Sequence, residues 1–432
     1  MTKNKALPAK PETIDIHINN DASPSKGSDC NGAAKENFEE KSVFPKENCN
    51  DETAQGSVEE QSTSVQDTES DEIADTSLDE EYPASEDEDT EINENSSPPS
   101  PIASENGKNQ VYDMSELHLD HETLKSKQFE KFGEDRVDFA KKCSFPQTLL
   151  NPEDKLAGWA PSTAERFKLR IGPKYKKTKK KAPSQPALYD TRCTRSYRCK
   201  KRTSKTTNMD ALPIPYTELF PDGTVPPLGA GLPQIVLLVF QLPSEQPYLL
   251  KKKTDGEGGE ILFFMTPSDR FIKDVNDHLD DKNNLTDECA PATKLWWKWC
   301  NTAERSKEWS RRFKAMALLR NLEKSSVGKF LKPYNGKPVL IKESGRATRG
   351  VTEEGVRYLE FRTNIHEWGF VAKKGFIHIL PKFGEMSLDV GFTIEGKEDE
   401  ELPEVILNTT LVHCFDADEL LYMPPELQEI SP

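Results

Sequence analysis

The chain has 432 residues, enough for one large domain or two ordinary ones, and 31% of them are charged against 34% hydrophobic. So polar a composition predicts that part of the chain does not fold. The net charge of −16 is concentrated, because eighteen Asp and Glu and no Lys or Arg lie in residues 51–100, and the rest of the chain carries +2. The overall acidity therefore excludes no class of ligand for the folded part.

Three features predict where the chain resides. No apolar run follows the lysines near the start, so a secretory signal peptide is not expected. Eight cysteines include no CxxC pair, which is typical of free thiols in an intracellular protein. The longest apolar run, residues 235–240, is far shorter than the roughly 20 residues of a spanning helix. The expected location is the cytoplasm, free or peripheral to an intracellular membrane, with the nucleus as an alternative.

Composition also divides the chain into segments. Residues 1–110 have almost no aromatic side chains and no periodicity, so they bury too little apolar surface to offset their chain entropy. We predict a disordered acidic tail there. Residues 111–158 are strongly charged with scattered phenylalanines, which fits a linker or a short helix. A folded domain is predicted over residues 159–420, and a C-terminal tail over residues 421–432.

Strands are predicted where apolar residues alternate or cluster between turn residues. These segments are 167–171, 234–242, 248–250, 261–265, 339–341, 358–362, 386–394 and 408–415, with 315–319 either a strand or a helix continuation. Helices are predicted at 268–278, 304–314 and 367–376 and from Pro403 onward, and a long loop at 182–232. Strands that follow one another without long βαβ crossovers indicate an α+β fold, with a mainly antiparallel sheet and packed helices.

The clearest strand is 386–394, where an apolar face alternates with a polar one. The apolar face is expected to cover a core. The polar face consists of Ser387, Asp389, Gly391 and Thr393.

Several phrases, in order, resemble the Enhanced Disease Resistance 2 C-terminal domain family. They are Trp159-Ala160-Pro161 with Phe167-Lys168-Leu169-Arg170, Leu232-Pro233 before residues 235–240, Arg312-Phe313-Lys314, Tyr358-Leu359-Glu360, and Glu395-Gly396 with Glu401-Leu402-Pro403-Glu404. The chain departs from the family pattern at Ile171-Gly172, which replaces a direct Arg-Gly pair, and in longer stretches at 200–231 and 254–305. The family's C-terminal domain has no established chemistry. The resemblance therefore implies membrane and lipid association only through the domains that accompany it in plant members.

A basic segment is the strongest functional signal. Residues 168–205 contain fifteen Lys and Arg against one acid, and six lysines are packed closest: Lys174, Lys176, Lys177, Lys179, Lys180 and Lys181. Such a cluster attracts anionic membrane surfaces. A nuclear-import or nucleic-acid patch extended by residues 198–202, or a solvated loop, remains open, although nucleic acid is disfavoured because stacking aromatics are not interleaved. The acidic tail is a candidate mask for this segment.

Three tryptophans form a second candidate site. Trp296, Trp297 and Trp299 could anchor the protein at a membrane interface, where indole rings favour the headgroup region. Trp296 and Trp299 also share a helix face, which favours a hydrophobic seam packed on the core. Both interpretations remain open at the level of the sequence.

Signatures of enzyme chemistry are not apparent. The sequence has no phosphate-binding glycine motif, no HExxH and no GxSxG, and its histidines make no i, i+4 pair, so we predict no catalytic residues, no cofactor and no metal site. The acidic residues 395–401 fit a solvated turn better than a cation site.

The sequence therefore predicts a non-enzymatic binding module that associates with anionic membranes or lipids. The alternative is a cytosolic or nuclear protein-interaction module with a basic loop, and protein partners of the acidic tail are a further expectation. An apolar cavity would favour lipid binding, whereas a filled core would favour protein interaction.

Overall fold

Two β-sheets organise the part of the chain that the structure, a computed structural model, describes. The described residues are 116–147, 156–200, 207–247, 256–327 and 331–428. All of them belong to one compact unit, Pro99–Pro432. The tail predicted for residues 1–110 lies outside the described residues, as does the predicted strand at 248–250.

The strands and helices are numbered in chain order. The strands are β1 Leu117–His118, β2 Ser144–Phe145, β3 Gly158–Pro161, β4 Lys168–Arg170, β5 Lys181–Pro183, β6 Tyr189–Cys199, β7 Thr224–Val225, β8 Ile235–Pro243, β9 Gly258–Pro267, β10 Phe313–Leu319, β11 Pro338–Leu340, β12 Gly345–Val351, β13 Arg357–Asn364, β14 Ser387–Ile394 and β15 Asn408–His413. The α-helices are α1 His121–Phe132, α2 Glu134–Lys142, α3 Tyr175–Thr178, α4 Asn208–Ala211, α5 Tyr216–Leu219, α6 Asp269–Asp277, α7 Pro291–Thr302, α8 Lys307–Ser310, α9 Phe370–Ile379 and α10 Pro425–Gln428.

The larger sheet has six strands in the order β12-β13-β8-β9-β6-β2, and the smaller has five in the order β11-β10-β14-β15-β3. Every neighbouring pair in these two sheets is antiparallel except β13 and β8, which run parallel. The prediction of an α+β fold with mainly antiparallel pairing is confirmed. The parallel pair requires the chain to cross over between β8 and β13, a link that local sequence patterns do not reveal.

The core lies between the two sheets and is filled by aromatic rings. Phe240 of the larger sheet stacks on Phe392 of the smaller at 5.5 Å between ring centroids. Phe313 and Phe361 approach to 4.0 Å across the same interface. Helix α7 covers this core, because Trp299 contacts both Phe313 and Phe361.

Strand β8 is apolar on both faces, as predicted, because both faces are covered. Val236, Leu238 and Leu242 belong to the core between the sheets. The residues that alternate with them, such as Leu237 and Val239, pack against a second apolar cluster on the outer face of the larger sheet. A continuous apolar run is therefore the expected pattern for this strand.

The polar face of β14 is buried, contrary to the simplest reading of its alternation. Asp389 is 0% exposed and accepts hydrogen bonds from Ser162 and Arg320, and it also pairs with Arg166. Gly391 lies under the ring of Phe167, which leaves no room for a Cβ atom. The segment from β3 to β5 therefore covers this face at Asp389 and Gly391, while Ser387 and Thr393 form hydrogen bonds with His413 and the carbonyl oxygen of Val405.

Three local predictions are wrong. The predicted loop at 182–232 contains β6, an eleven-residue strand inside the larger sheet. The predicted helix at 304–314 is only one turn, α8, before β10 begins. Pro403 starts no helix and follows a short 3₁₀ turn, Asp399–Glu401. For β6 and β10, strand pairing within a sheet overrides a weak local preference.

The segment predicted as a linker or short helix belongs to the folded domain. Strand β2 pairs with β6 at the edge of the larger sheet, and β1 pairs with β7. Leu124 of α1 and Phe139 of α2 are buried in the apolar cluster on the outer face of that sheet. At the other end, Met423, assigned to the C-terminal tail, joins the same cluster.

Within the described residues, none of the helices combines the length and apolar character needed to cross a membrane.

Candidate functional site

The six predicted lysines lie on one hairpin, here called the basic hairpin and defined as residues 168–183. Strands β4 and β5 pair antiparallel, and the single turn of α3 connects them. Lys174 and Lys179 flank that turn with positive φ angles of 62° and 50°, which reverse the chain direction within a few residues. All six lysines are exposed to solvent. The compact turn thus presents the six charges at one end of the hairpin.

The base of the basic hairpin is held by apolar packing. Phe167 and Leu169 are buried in a small cluster with Met316 and Ile406. At the tip, the ring of Tyr175 lies between Arg170 and Lys179, at 4.9 and 5.9 Å from its centroid. These contacts orient the hairpin relative to the smaller sheet.

A polar anchor joins the hairpin to the acidic segment, defined as residues 395–404. Arg170 Nη1 lies 2.9 Å from Glu395 Oε1. The backbone N–H of Lys174 donates a hydrogen bond of 2.7 Å to Asp399 Oδ1. The backbone of the hairpin and the side chain of Arg170 therefore contact the acidic segment, whereas the six lysine side chains form no ion pair with that segment.

The acidic segment is not simply a solvated turn, because three of its carboxylates, those of Glu395, Glu401 and Glu404, form ion pairs with basic residues of the domain. Glu401 accepts two hydrogen bonds from Arg312, at 3.0 and 3.1 Å. Burial raises the pKa of Glu401, but backbone N–H donors and Arg312 lower that pKa more, so the net shift is downward. Glu404 pairs with Lys314 at 2.8 Å, and both side chains are 2% exposed. A cation site on these carboxylates is therefore disfavoured.

Lys314 is a buried charge that depends on a carboxylate partner. Burial lowers the pKa of its ammonium group, and Glu404 acts in the opposite direction. A buried ammonium requires such a partner, since an unpaired charge costs several kcal/mol, roughly 3–5. The anchor beneath the basic hairpin is thus a network of paired charges rather than a free surface.

The six lysines differ from this network, because none of them forms an ion pair with another described residue. Among the described residues, no carboxylate lies within 4.0 Å of any of these six ammonium groups, whereas the neighbouring Arg170 is paired. Uncompensated charge of one sign on an exposed turn creates a local positive potential. This potential is the main electrostatic feature of the candidate site.

Two arginines of β6, Arg195 and Arg198, do not extend this surface. Arg195 is buried in β6 and donates a hydrogen bond of 2.7 Å to the carbonyl oxygen of Pro213. Arg198 approaches Glu257 and Asp418 at 3.4 Å each. The proposed extension at 198–202 therefore starts with a paired arginine, and residues 201–202 lie outside the described residues.

The tryptophans resolve into different roles. Trp296 and Trp299 are 1% and 0% exposed and stack on each other at 5.3 Å, so the membrane-anchor hypothesis is wrong for these two. A side chain enclosed by the core cannot enter the headgroup region without unfolding α7. Trp297 is half-buried, and its indole N–H donates to the carbonyl oxygen of Ala230 at 3.0 Å. The alternative of a packed hydrophobic seam describes α7 correctly.

A buried polar cluster on the outer face of the larger sheet was not identified from the sequence. Glu260 accepts hydrogen bonds from Tyr197, Asn208 and Gln241. Glu360 accepts one from Arg362 at 2.8 Å. The Arg362 guanidinium also interacts electrostatically with Glu260. Burial raises the pKa of Glu360 despite Arg362. The sequence feature that could have indicated this cluster is the presence of ionisable residues inside otherwise apolar strands.

A cleft of about 180 Å³ opens between α1 and the turn that joins β12 to β13. Charged residues contribute much of its lining, including Lys127, Lys131, Glu353 and Glu354. Its volume is below the roughly 300 Å³ of ordinary small-molecule pockets. This cleft does not have the character expected of a lipid-enclosing cavity.

One group of ligating side chains is close enough to share a metal ion among the described residues. The group is Asp274, His278 and Cys289. It lies between α6 and α7, on elements that contribute nothing to the basic hairpin.

Comparison with known proteins gives one family match. Neither a curated protein nor a solved structure shows significant similarity to the chain. The family model described as Protein ENHANCED DISEASE RESISTANCE 2, C-terminal, matches residues 159–416, more than half of the chain and nearly all of the smaller and larger sheets. The chain therefore belongs to the Enhanced Disease Resistance 2 C-terminal family.

Proposed function

We propose that this domain is a non-enzymatic binding module that associates peripherally with anionic membrane surfaces through the basic hairpin. The observation that carries the proposal is the set of six exposed lysines without carboxylate partners among the described residues. Each lysine near an anionic leaflet contributes about 1 kcal/mol, so six together suffice for reversible association.

The filled core defines the kind of lipid contact that we propose. Aromatic rings occupy the space between the two sheets, so the interior offers no support for binding an acyl chain there. We therefore assign recognition to the headgroup layer. Binding of this kind is electrostatic and weakens as salt screens the charges.

The filled core also favours a second candidate, a protein-interaction module whose basic hairpin binds an acidic partner. A polypeptide rich in Asp and Glu presents the same charge as an anionic leaflet. The two candidates differ in whether lipid vesicles alone are sufficient for binding.

The decisive experiment is co-sedimentation of the full chain with vesicles, at low and physiological salt. Neutral phosphatidylcholine vesicles are compared with vesicles containing phosphatidylserine or a phosphoinositide. The variant changes Lys174, Lys176, Lys177, Lys179, Lys180 and Lys181 to Gln. We expect binding to anionic vesicles by the wild type, a loss of at least tenfold in the variant, and no binding to neutral vesicles.

A matched control removes the same charge elsewhere. Lys127, Lys142, Lys298, Lys324, Lys332 and Lys382 are also exposed and lie outside the hairpin. Changing these six to Gln should reduce binding far less than the hairpin variant does. Equal losses would show that only net charge matters, and no binding at low salt would leave protein interaction as the better account.

A further inference from the structure

Three side chains of metal-ligating type converge between α6 and α7. Asp274 lies in the last turns of α6, and His278 follows four residues later, directly after the helix ends. Cys289 lies two residues before the start of α7. One ligand atom from each residue lies within 4.8 Å of the other two. The convergence is produced by tertiary packing, since ten residues separate His278 from Cys289 in the chain.

Neighbouring groups orient two of the three side chains. The hydroxyl of Thr293, in the first turn of α7, donates a hydrogen bond of 2.6 Å to Asp274 Oδ2. His278 Nδ1 lies 2.7 Å from the backbone oxygen of Asp274, which can only accept a hydrogen bond. The same nitrogen lies 3.5 Å from Asp274 Oδ1, so the imidazole ring is held against both the backbone and the carboxylate of Asp274. Histidines and carboxylates that bind metals are commonly held by such supporting hydrogen bonds.

The donor set also indicates the class of ion. A thiolate, an imidazole and a carboxylate together suit Zn²⁺, whereas Mg²⁺ and Ca²⁺ prefer oxygen ligands alone. With bonds of roughly 2.0–2.3 Å, ligand atoms around tetrahedral zinc lie about 3.5 Å apart. Reaching that distance from the present separation of up to 4.8 Å requires side-chain rotation, and the metal would replace the 3.7 Å hydrogen bond that the Cys289 thiol donates to Asp274 Oδ2.

Access from solvent is compatible with ion entry. The side chains of Asp274 and His278 are 25% and 29% exposed, whereas Cys289 is 2% exposed. The group thus has one buried ligand and an open side, which provides an entry path and room for a water molecule as fourth ligand.

We propose that Asp274, His278 and Cys289 bind one zinc-class divalent ion, with water as the fourth ligand. On binding, the Cys289 thiol gives up its proton to solvent and the sulfur bonds to the metal. The ion cross-links the end of α6 to the loop before α7, the helix that covers the core. This site is independent of the basic hairpin, so a test of metal binding does not depend on whether the domain binds membranes.

Cobalt(II) is the probe for the first test, because thiolate coordination gives an intense charge-transfer absorption in the near ultraviolet. The full chain is stripped with a chelator, titrated with Co²⁺ and then with Zn²⁺. We expect one cobalt ion per chain with a thiolate band, displacement by zinc, and a higher melting temperature of the zinc-loaded chain.

Variants assign the signal to these residues. Cys289→Ser should abolish the thiolate band, and His278→Gln should weaken binding at least tenfold. Cys414→Ser and His118→Gln, which change the same residue types elsewhere, should bind as the wild type does. Thr293→Val keeps all three ligands but removes the hydroxyl that holds Asp274, and it should weaken binding about 10–100-fold.

Folding is checked independently by circular dichroism. A folded Cys289→Ser chain that still binds cobalt with an unchanged thiolate band would overturn the proposal. The absence of any thiolate band in the wild-type chain would overturn it as well. If Cys289→Ser does not fold, His278→Gln and Thr293→Val decide the question, and unaltered affinity in both would exclude the site.

Discussion

At the residue scale, the domain is marked by ionisable side chains that are buried yet partnered. Lys314 and Glu404 form a pair beneath the basic hairpin, and Asp389 receives two arginines on the face of β14. Such pairs contribute little net stability compared with apolar residues of the same volume, but losing one partner is costly. They therefore favour one arrangement of the hairpin over others.

The pair of Glu360 and Arg362 leads to a prediction for Glu360→Gln. Burial raises the pKa of Glu360 above its ordinary 4.5, so the folded state holds this proton more tightly than the unfolded chain. The stabilisation from this protonation is present below pH 4.5 and is lost as the pH rises through the folded pKa. Gln cannot ionise, so the free energy of unfolding of the variant should rise relative to that of the wild type as the pH increases from 4.5 to the folded pKa, and the difference should stay constant above it. Urea titrations across this pH range measure the difference.

Glu353→Gln provides a control of opposite sign. The hydrogen bond and charge of Lys131 lower the pKa of this exposed carboxyl. The ion pair therefore stabilises the wild type above the ordinary pKa of Glu353. The free energy of unfolding of the variant should fall relative to that of the wild type as the pH rises, by a small amount because the pair is solvent-exposed. Equal pH trends in the two variants would contradict the assignment of the shift to burial of Glu360.

At the element scale, α7 and the basic hairpin are two short amphipathic segments with different roles: α7 packs in the core and the hairpin presents charge to solvent. Helix α7 turns its aromatic side chains inward, and its indole rings stack in the core. The hairpin buries Leu169 at its base, next to Phe167 that precedes it, and exposes its lysines at the tip. Spacing along the chain indicated both segments, but burial decided which could contact a ligand.

The orientation of α7 leads to a stability prediction. Trp299→Ala removes a fully buried ring that contacts Phe313 and Phe361, and it should lower the free energy of unfolding by about 3–5 kcal/mol. Trp297 is half-buried and lies on a different face of the same helix. Trp297→Ala should therefore lower the free energy of unfolding clearly less. Urea unfolding of both variants tests this ranking, and equal costs would show that α7 is oriented differently.

At the scale of the whole molecule, charges of opposite sign are concentrated in two separate segments of the sequence. Residues 51–100 carry eighteen acids and no basic residue, whereas the hairpin tip carries six lysines. Opposite charges on one chain can associate and compete with an external anion. Masking of the hairpin by the tail is therefore a hypothesis that follows from charge alone.

Deletion of residues 1–110 tests the masking. If the tail cancels only one or two lysine contributions of about 1 kcal/mol each, its removal should raise the affinity for anionic vesicles about fivefold to thirtyfold at low salt. Physiological salt should reduce the difference, because the interaction is screened. Unchanged binding at low salt would contradict the masking hypothesis without affecting direct binding by the hairpin.

Much of the architecture follows from the sequence by itself. Alternation predicted β13, β14 and β15, Ser268 predicted the start of α6, and the doubly apolar run predicted a central strand. Ordered phrases over residues 159–415 predicted the family, which the family match over residues 159–416 confirms, and the lysine cluster predicted an exposed basic surface. These features depend on side chains that are close in the chain, so local pattern is sufficient to reveal them.

Other features were decided only by the tertiary structure. Strand β6 is polar in sequence, yet it lies inside the larger sheet because β2 and β9 pair with both of its edges. Asp389 is buried because distant arginines neutralise it, and Asp274 meets Cys289 only because α6 and α7 pack together. Each of these depends on contacts between residues far apart in the chain. A linear pattern shows what a side chain can do, whereas its burial and its partners depend on which distant segments the fold brings against it.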